Sequence, residues 1–275
     1  MTKLFYILIL MLLIGCIPDP LPVDNIPDLK RQPVVTNFNT AESFLNLIIT
    51  QNFPVETRVS DDELDSLVRS LFLKELYIKV YVSGMEYSLD EYLNGVYYSP
   101  TIPKLPGEEY KIEFENPFNG KAVSSTAELM EKVGFARLES NLKKTEFDTL
   151  LQVNYEINDP IGKNWYMINV KELSSDFFIL ETPYVELIED AIDTLDQRIS
   201  GSFTIPFKDF QPQDTILISL SNIDQTYFEF LDQRKSQQFI LIEELSDPIT
   251  YNTNINNGLG IFTLHQPDIH IIFPE

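Results

Sequence analysis

A mainly β protein is predicted, with a small antiparallel sandwich first and a second antiparallel β domain with inserted helices after it. Two observations predict it: short runs of alternating or β-branched residues recur along the chain, and turn-forming residues separate them. Between Phe44 and Leu129 the runs are FLNLIITQ, ELYIKVYV, GVYYSPTI, EYKIEFEN and KAVSSTAEL. Each is short and rich in Val, Ile, Tyr or Phe, the composition of half-buried strands. Gly84, Asn94-Gly95, Pro106-Gly107 and Asn119-Gly120 punctuate them with hairpin and turn chemistry. Close spacing of this kind suits a sandwich. One helix interrupts the series. Ser60 and Glu63 form a capping-box pattern, Val59 and Leu64 sit at staple positions, and Leu64, Leu67, Val68, Leu71 and Phe72 recur at helical spacing. Tyr77, Val80 and Tyr97 are expected to pack in the core or across strands.

The second half repeats the theme with FDTLLQVNYEI, NWYMINVKE, DFFILET, RISGSFTIPF, DTILISLSN and GLGIFTLH. Helices are expected near 183–197 and 224–240. Thr182-Pro183 can start the first, with Tyr184, Leu187, Ile188, Ala191, Ile192 and Leu195 on one face. Asp224 can cap the other, with Tyr227, Phe228 and Leu231 inward. Strand signals lapse between Glu131 and Glu146, where Lys132, Lys143 and Lys144 gather, which divides the body into 34–130 and 131–275. No repeat of fixed period is present.

Ahead of this body, residues 1–15 read as a signal peptide, with Lys3 before an unbroken apolar run from Leu4 to Ile14. The run is too short to cross a hydrocarbon layer of ~30 Å, which takes about twenty apolar residues. It closes as Leu13-Ile14-Gly15-Cys16, which looks like a lipobox whose cysteine is acylated through sulfur and becomes the first residue after cleavage. Cys16 is the only cysteine in 275 residues. Once lipidated it leaves no thiol for a disulfide, so stability has to come from a packed core. Residues 16–33 then interleave Pro18, Pro20, Pro22, Pro27 and Pro33 with Asp19, Asp24 and Asp28. Such density favours polyproline geometry at about 3.1 Å per residue, a semi-rigid tether of up to ~50 Å.

The formal charge is −22. A polyanion would be repelled by that field, so nucleic acid is not expected as a partner. His265 and His270 are the only histidines and stand in His-Gln-Pro-Asp-Ile-His with Asp268. Five positions apart on a strand they face opposite ways, so a shared metal is not expected and a surface or terminal-strand role is. Ser140-Asn141-Leu142-Lys143 matches Ser-x-x-Lys, but the Ser-Asp-Asn and Lys-Thr-Gly partners of that chemistry are missing from the sequence. Gly258-Leu259-Gly260 lacks the third glycine of a dinucleotide loop and reads as a tight turn into the last strand. Asp61, Asp62, Glu63 and Asp65 crowd a helix start, and Glu186, Glu189, Asp190, Asp193 and Asp196 read as a solvated helix face. A glycosidase-like carboxylate pair, which would need a cleft with convergent acids, remains the alternative chemistry. Neither cofactor nor metal is expected.

Several stretches, taken in order, resemble a known family: the lipobox, Asn94-Gly95-Val96-Tyr97-Tyr98, Pro106-Gly107-Glu108-Glu109-Tyr110, Asp159-Pro160-Ile161-Gly162-Lys163-Asn164-Trp165-Tyr166, and Asn254-Ile255-Asn256-Asn257-Gly258-Leu259-Gly260-Ile261-Phe262. Leu220-Ser221-Asn222-Ile223-Asp224 leading into Tyr227-Phe228-Glu229-Phe230-Leu231 fits the helix before that tail. Together they are similar to the Bacteroidota lipoproteins grouped as the domain of unknown function 4249 family. The resemblance implies an exported lipoprotein whose first part is immunoglobulin- or transthyretin-like, encoded near outer-membrane receptors energised through TonB. It brings no catalytic residues. The capped helix at Asp61 to Phe72 departs from the family pattern, where a short loop is expected.

The expected function is therefore that of a non-enzymatic module, anchored by lipid in the cell envelope, that binds a ligand or partner beside a TonB-dependent outer-membrane receptor. A surface hydrolase using an Asp/Glu pair and a structural or adhesive envelope component are the alternatives. Ile17 after the cysteine does not resemble an inner-membrane retention signal, which points to the outer membrane. Cells fed a labelled fatty acid should label the wild-type chain and leave Cys16→Ala unlabelled, and label retained by the variant would contradict the lipobox reading.

Overall fold

The computed structural model describes residues 30–38, 44–53, 61–144, 149–172, 184–190, 197–206, 215–237 and 251–273. Arg31 to Glu275 belong to one unit. The lipidation site, residues 16–29 of the tether, the Ser60 cap and the DFFILET run lie outside the described residues. Pro33, assigned to the tether, instead opens the first strand and is buried. Proline tolerates that place because the first residue of a strand can forgo an amide donor.

Seven early strands, β1 (Pro33–Phe38), β2 (Asn46–Gln51), β3 (Ile78–Val82), β4 (Met85–Leu93), β5 (Val96–Tyr98), β6 (Glu109–Glu115) and β7 (Ala122–Glu128), form a sheet with the late strand β14 (Leu259–Ile261). Its order is β14-β1-β2-β5-β4-β3-β6-β7. Strand β4 turns the corner. Residues 85–89 pair with β3, whereas 90–93 pair with β5, with a bulge between Glu91 and Leu93. A strand that changes partners through a bulge lets one sheet fold over itself into two layers. Period-two alternation then fills the space between. Ile78, Val80 and Val82 point inward with Tyr110, Ile112, Phe114, Leu47, Ile49 and Tyr97. The turn glycines Gly84, Gly95, Gly107 and Gly120 all take positive φ, as their sequence context requires.

Helix α1 (Asp61–Leu71) joins β2 to β3. Its exit is pinned by backbone and side chain alike: the Leu73 amide donates to the Ile49 carbonyl at 2.9 Å, and the Tyr97 hydroxyl donates to the Leu73 carbonyl at 2.8 Å. Glu91 accepts from the amides of Glu75 and Gly95. Phe72 lies so close over Gly95 that a Cβ there would meet its side chain at 2.8 Å.

The later strands form two smaller sheets. One is β12-β9-β8, made of β8 (Phe135–Lys144), β9 (Thr149–Asp159) and β12 (Gln197–Pro206). The other is β11-β10-β13-β15, made of β10 (Trp165–Glu172), β11 (Tyr184–Glu189), β13 (Ile216–Ile223) and β15 (Asp268–Ile272). A second core holds Leu151, Val153, Tyr155, Ile157, Tyr166, Ile168, Val170, Ile216, Ile218 and Leu220. Helix α2 (Gln225–Gln237) follows β13 and is capped as expected, the Tyr227 amide donating to Asp224 Oδ1 at 2.9 Å.

Three sequence expectations change here. The helix near 183–197 is instead strand β11 over Tyr184–Glu189. Tyr184, Val185 and Ile188 suit a strand as well as a helix face, and the open edge of β10 supplies the hydrogen bonds. The stretch read as a lapse, Glu131 to Glu146, carries β8, whose outward Arg137, Glu139, Asn141 and Lys143 hide the inward Leu138 and Leu142. Ile255, Phe262 and Leu264, read with the second half, pack in the first core.

Gly260 is the close point of that return. It lies opposite Val35 in the parallel β1–β14 pair with φ +101, and a Cβ would overlap the Val35 carbonyl. It therefore serves a backbone approach within a strand, while the turn falls at Asn257, whose φ is +59. Gly260→Ala should lower stability by about 3 kcal/mol through combined strain and displacement of β14. Urea unfolding followed by circular dichroism measures this, and an unchanged midpoint would show that the approach is dispensable.

Candidate binding surface

The outer sides of β3 to β6 carry Tyr77, Tyr81, Tyr92 and Tyr98 around the corner made by β4. Because Ile78, Val80, Leu89 and Tyr97 point inward, their neighbours Lys79, Tyr81, Ser88, Asp90 and Tyr98 point out. The register sets Lys79 between Ser88 and Glu113, and Tyr81 between Glu86 and Lys111. Lys79 pairs with Glu86 at 3.0 Å and Lys111 with Glu113 at 2.5 Å. These pairs hold the Glu86 carboxyl below its ordinary range, chiefly through the Lys79 hydrogen bond, and hold both ammonium groups above theirs. Tyr77, expected in the core or in cross-strand packing, is 66 % exposed. The inward position is taken by Ile78, and the Tyr77 ring lies under Lys79 Nζ at 5.8 Å.

Other sequence candidates do not converge. Ser140 and Lys143 are three apart on β8 and so face opposite ways. His270 on β15 meets Asp268 at 2.9 Å, while His265 is half-buried beside the Tyr227 ring, 6.0 Å between centroids, rather than at the surface. No group of three or more His, Cys, Asp or Glu side chains among the described residues is placed to hold a metal ion. Glu186 and Asp190, read as a solvated helix face, leave that role. Glu186 accepts from Tyr184 and pairs with Lys235 at 3.4 Å, and Asp190 is buried. Burial, with Glu186 nearby, pushes the Tyr184 hydroxyl up to about 12.

A shallow concavity of about 180 Å³ lies on the β12-β9-β8 sheet, lined by Arg137, Glu139, Asn154, Tyr155, Glu156, Ser200 and Gly201. Its two acids both reach Arg137, Glu139 at 2.7 Å and Glu156 at 4.0 Å. Both acids are engaged in ion pairs on an open sheet face, whereas a glycosidase pair faces across a cleft.

The Asp159–Tyr166 stretch is a built loop. Asp159 is buried and accepts from the Tyr166 hydroxyl and from Asn164 Nδ2. Asn164 Nδ2 also donates to the carbonyls of Pro160 and Gly162 at 2.9 and 3.0 Å. Burial and the Asp159 carboxylate both raise the Tyr166 hydroxyl, so it stays a donor. These contacts explain why aspartate, asparagine and tyrosine occur at that spacing: they fold a turn and leave no acid free for chemistry.

His265 has a measurable consequence. Burial beside α2 pushes its imidazole down to about 4, so the unfolded chain binds the extra proton first as pH falls below about 6.5. Stability from this group is full above that value and lost down to about pH 4, an amount of about 3 kcal/mol. Asp268, lowered by its His270 and Lys132 contacts, acts in a lower window, its contribution being lost as pH falls below the usual aspartate range. His265→Asn should flatten urea midpoints between pH 7 and 4.5 relative to wild type, and parallel profiles would contradict the assignment.

Comparison with known proteins gives one family. The description "Domain of unknown function (DUF4249)" matches residues 69–268. No curated protein matches the chain. The match begins within α1 and ends at the first residue of β15, so it takes in most of the tyrosine-bearing sandwich and nearly all of the second half. On that extent the chain belongs to the DUF4249 family, as its turn and loop motifs suggested.

Proposed function

We propose that this protein is an exported, lipid-anchored component of the cell envelope that binds a ligand or partner without transforming it, as an accessory to a TonB-dependent transporter of the outer membrane. The observation that carries the binding role is the outer face of β3 to β6, where Tyr77 and Tyr92 are 66 % and 67 % exposed beside carboxylates and paired lysines. Large aromatic side chains left in water on a rigid sheet cost little conformational entropy on binding and are enriched where proteins meet partners.

The anchor rests on the apolar run closed by Leu13-Ile14-Gly15-Cys16. No helix among the described residues is long and apolar enough to cross a membrane. Lipid anchoring suits a weak binder. A tether confines the domain near any partner in the same membrane, and effective concentrations in the millimolar range fill even a modest interface. The transporter enters through the family resemblance. The acidic body favours a partner with basic loops and binding that weakens with salt.

Purification of the lipoprotein from native membranes in mild detergent tests this directly. The expected result is a co-purifying membrane protein whose recovery falls as salt rises, and no turnover across a panel of glycans and peptides. Recovery of the lipoprotein alone, together with turnover abolished by one Asp or Glu substitution, would overturn the reading in favour of a hydrolase.

A further inference from the structure

The bulge in β4 has a specific result. By inserting a residue between Glu91 and Leu93 it brings the Tyr92 ring edge-to-face against Tyr98, 5.5 Å between centroids and 85° between planes. Bulges re-aim side chains in this way, often at functional sites. Tyr92 is exposed and Tyr98 half-buried. Directly opposite Tyr98 in the register stands Asp90, an exposed carboxylate with no ion pair among the described residues.

The outer side of β3 and β6, across the corner, already shows how such parts are used. Lys79 Nζ sits 5.8 Å from the Tyr77 centroid and is held by Glu86; Lys111 Nζ sits 5.5 Å from the Tyr81 centroid and is held by Glu113. Twice, then, a tyrosine ring and a carboxylate share one ammonium group. Tyr92, Tyr98 and Asp90 offer the same combination a third time, with no cation of the described chain over either ring. Deepening the binding reading above, on which it rests, we propose that this corner is a receptor for a lysine or arginine side chain of a partner protein.

Charge complementarity selects that occupant. The chain carries −22 overall with a pI of about 4.3, a field that gathers cations and repels anions at long range. An anionic lipid or acidic glycan is disfavoured by the same field. A neutral glycan could stack on the rings but would gain nothing from the surrounding charge. A desolvated cation over a tyrosine gains from the ring quadrupole, and Asp90 adds a charge-assisted hydrogen bond.

The test uses the full-length lipoprotein in detergent and a fluorescent peptide of alternating glycine and arginine, with maltohexaose as the neutral comparison. Binding should be measured at low and moderate salt for wild type, Tyr92→Ala, Asp90→Asn and the exposed-aromatic control Phe273→Ala, which lies just beyond β15. The expected result is that Tyr92→Ala and Asp90→Asn each weaken peptide binding about fivefold, with Phe273→Ala close to wild type. Asp90→Asn should also reduce the salt dependence. The proposal is overturned if the two site variants bind the peptide like wild type, which would mean that only the general field is felt. Preferential binding of maltohexaose through the same residues would overturn it too. The membrane purification separates this failure from that of the broader reading: a partner recovered equally with wild type and both variants leaves the binding role standing and removes this site, whereas no partner with wild type removes both.

Discussion

The chain passes between its two apolar cores three times, and the rest of the structure depends on how the two outward crossings are held side by side. One leaves the first core at Leu129 and the other, after the chain has returned by Ile255, leaves it at Leu264; these two residues form a parallel bridge. The Met130 amide donates to the Leu264 carbonyl at 3.1 Å, and Gln266 Nε2 donates to the Met130 carbonyl at 3.0 Å. Asp268 closes the joint. It takes Lys132 at 3.0 Å and the Phe135 amide at 3.2 Å while its own backbone begins β15 beside β13. A carboxylate with a cation and a backbone donor in place gains more than an exposed ion pair would, because its partners are fixed by strands on both sides.

A second link runs through Thr263. Its amide donates to Asn37 Oδ1 at 3.0 Å and its hydroxyl to Asp224 Oδ2 at 2.5 Å. Asp224 is also the cap of α2, so one threonine ties β1 of the first sandwich to the helix start of the second half. Beyond it, the ring of Tyr227 on α2 stacks beside His265 and Phe230. These contacts are confined to the joint and the β14 side of the first sandwich. The β3 to β6 face lies on other strands of the same sheet, and its rigidity comes from the core behind it and from Glu91, which secures the turn between β4 and β5.

Much of this was legible in the sequence because it is local. Turn glycines, alternation in IKVYV and EYKIEFE, and an aspartate before an aromatic helix each state their structure within a few residues. The joint is different, since Leu129 and Leu264 are ordinary apolar residues until the fold brings them together. The apolar spacing from Tyr184 to Ile188 fitted a helix and a strand equally, and the edge of β10 decided the matter. Nothing near Asp268 in the sequence marks its role, because two of its partners, Lys132 and the Phe135 amide, come from far back in the chain. For the binding face, aromatic count alone could not separate Tyr77 from Tyr97. A period-two reading anchored on Ile78 would have placed Tyr77 outside, and the Tyr92–Tyr98 corner depends on a bulge that no residue pattern announces.

If the paired crossings govern the fold, the two cores should open together. Native-state hydrogen exchange can compare the amides of Leu129, Met130 and Asn256, which are bonded to Glu108, Leu264 and Ser124, with those of Ile168 and Leu220 in the second core. A single opening free energy shared by both groups is the predicted result. Exchange of Leu129, Met130 and Asn256 through a separate opening, at clearly lower free energy than Ile168 and Leu220, would contradict the account and make the first sandwich an independent body.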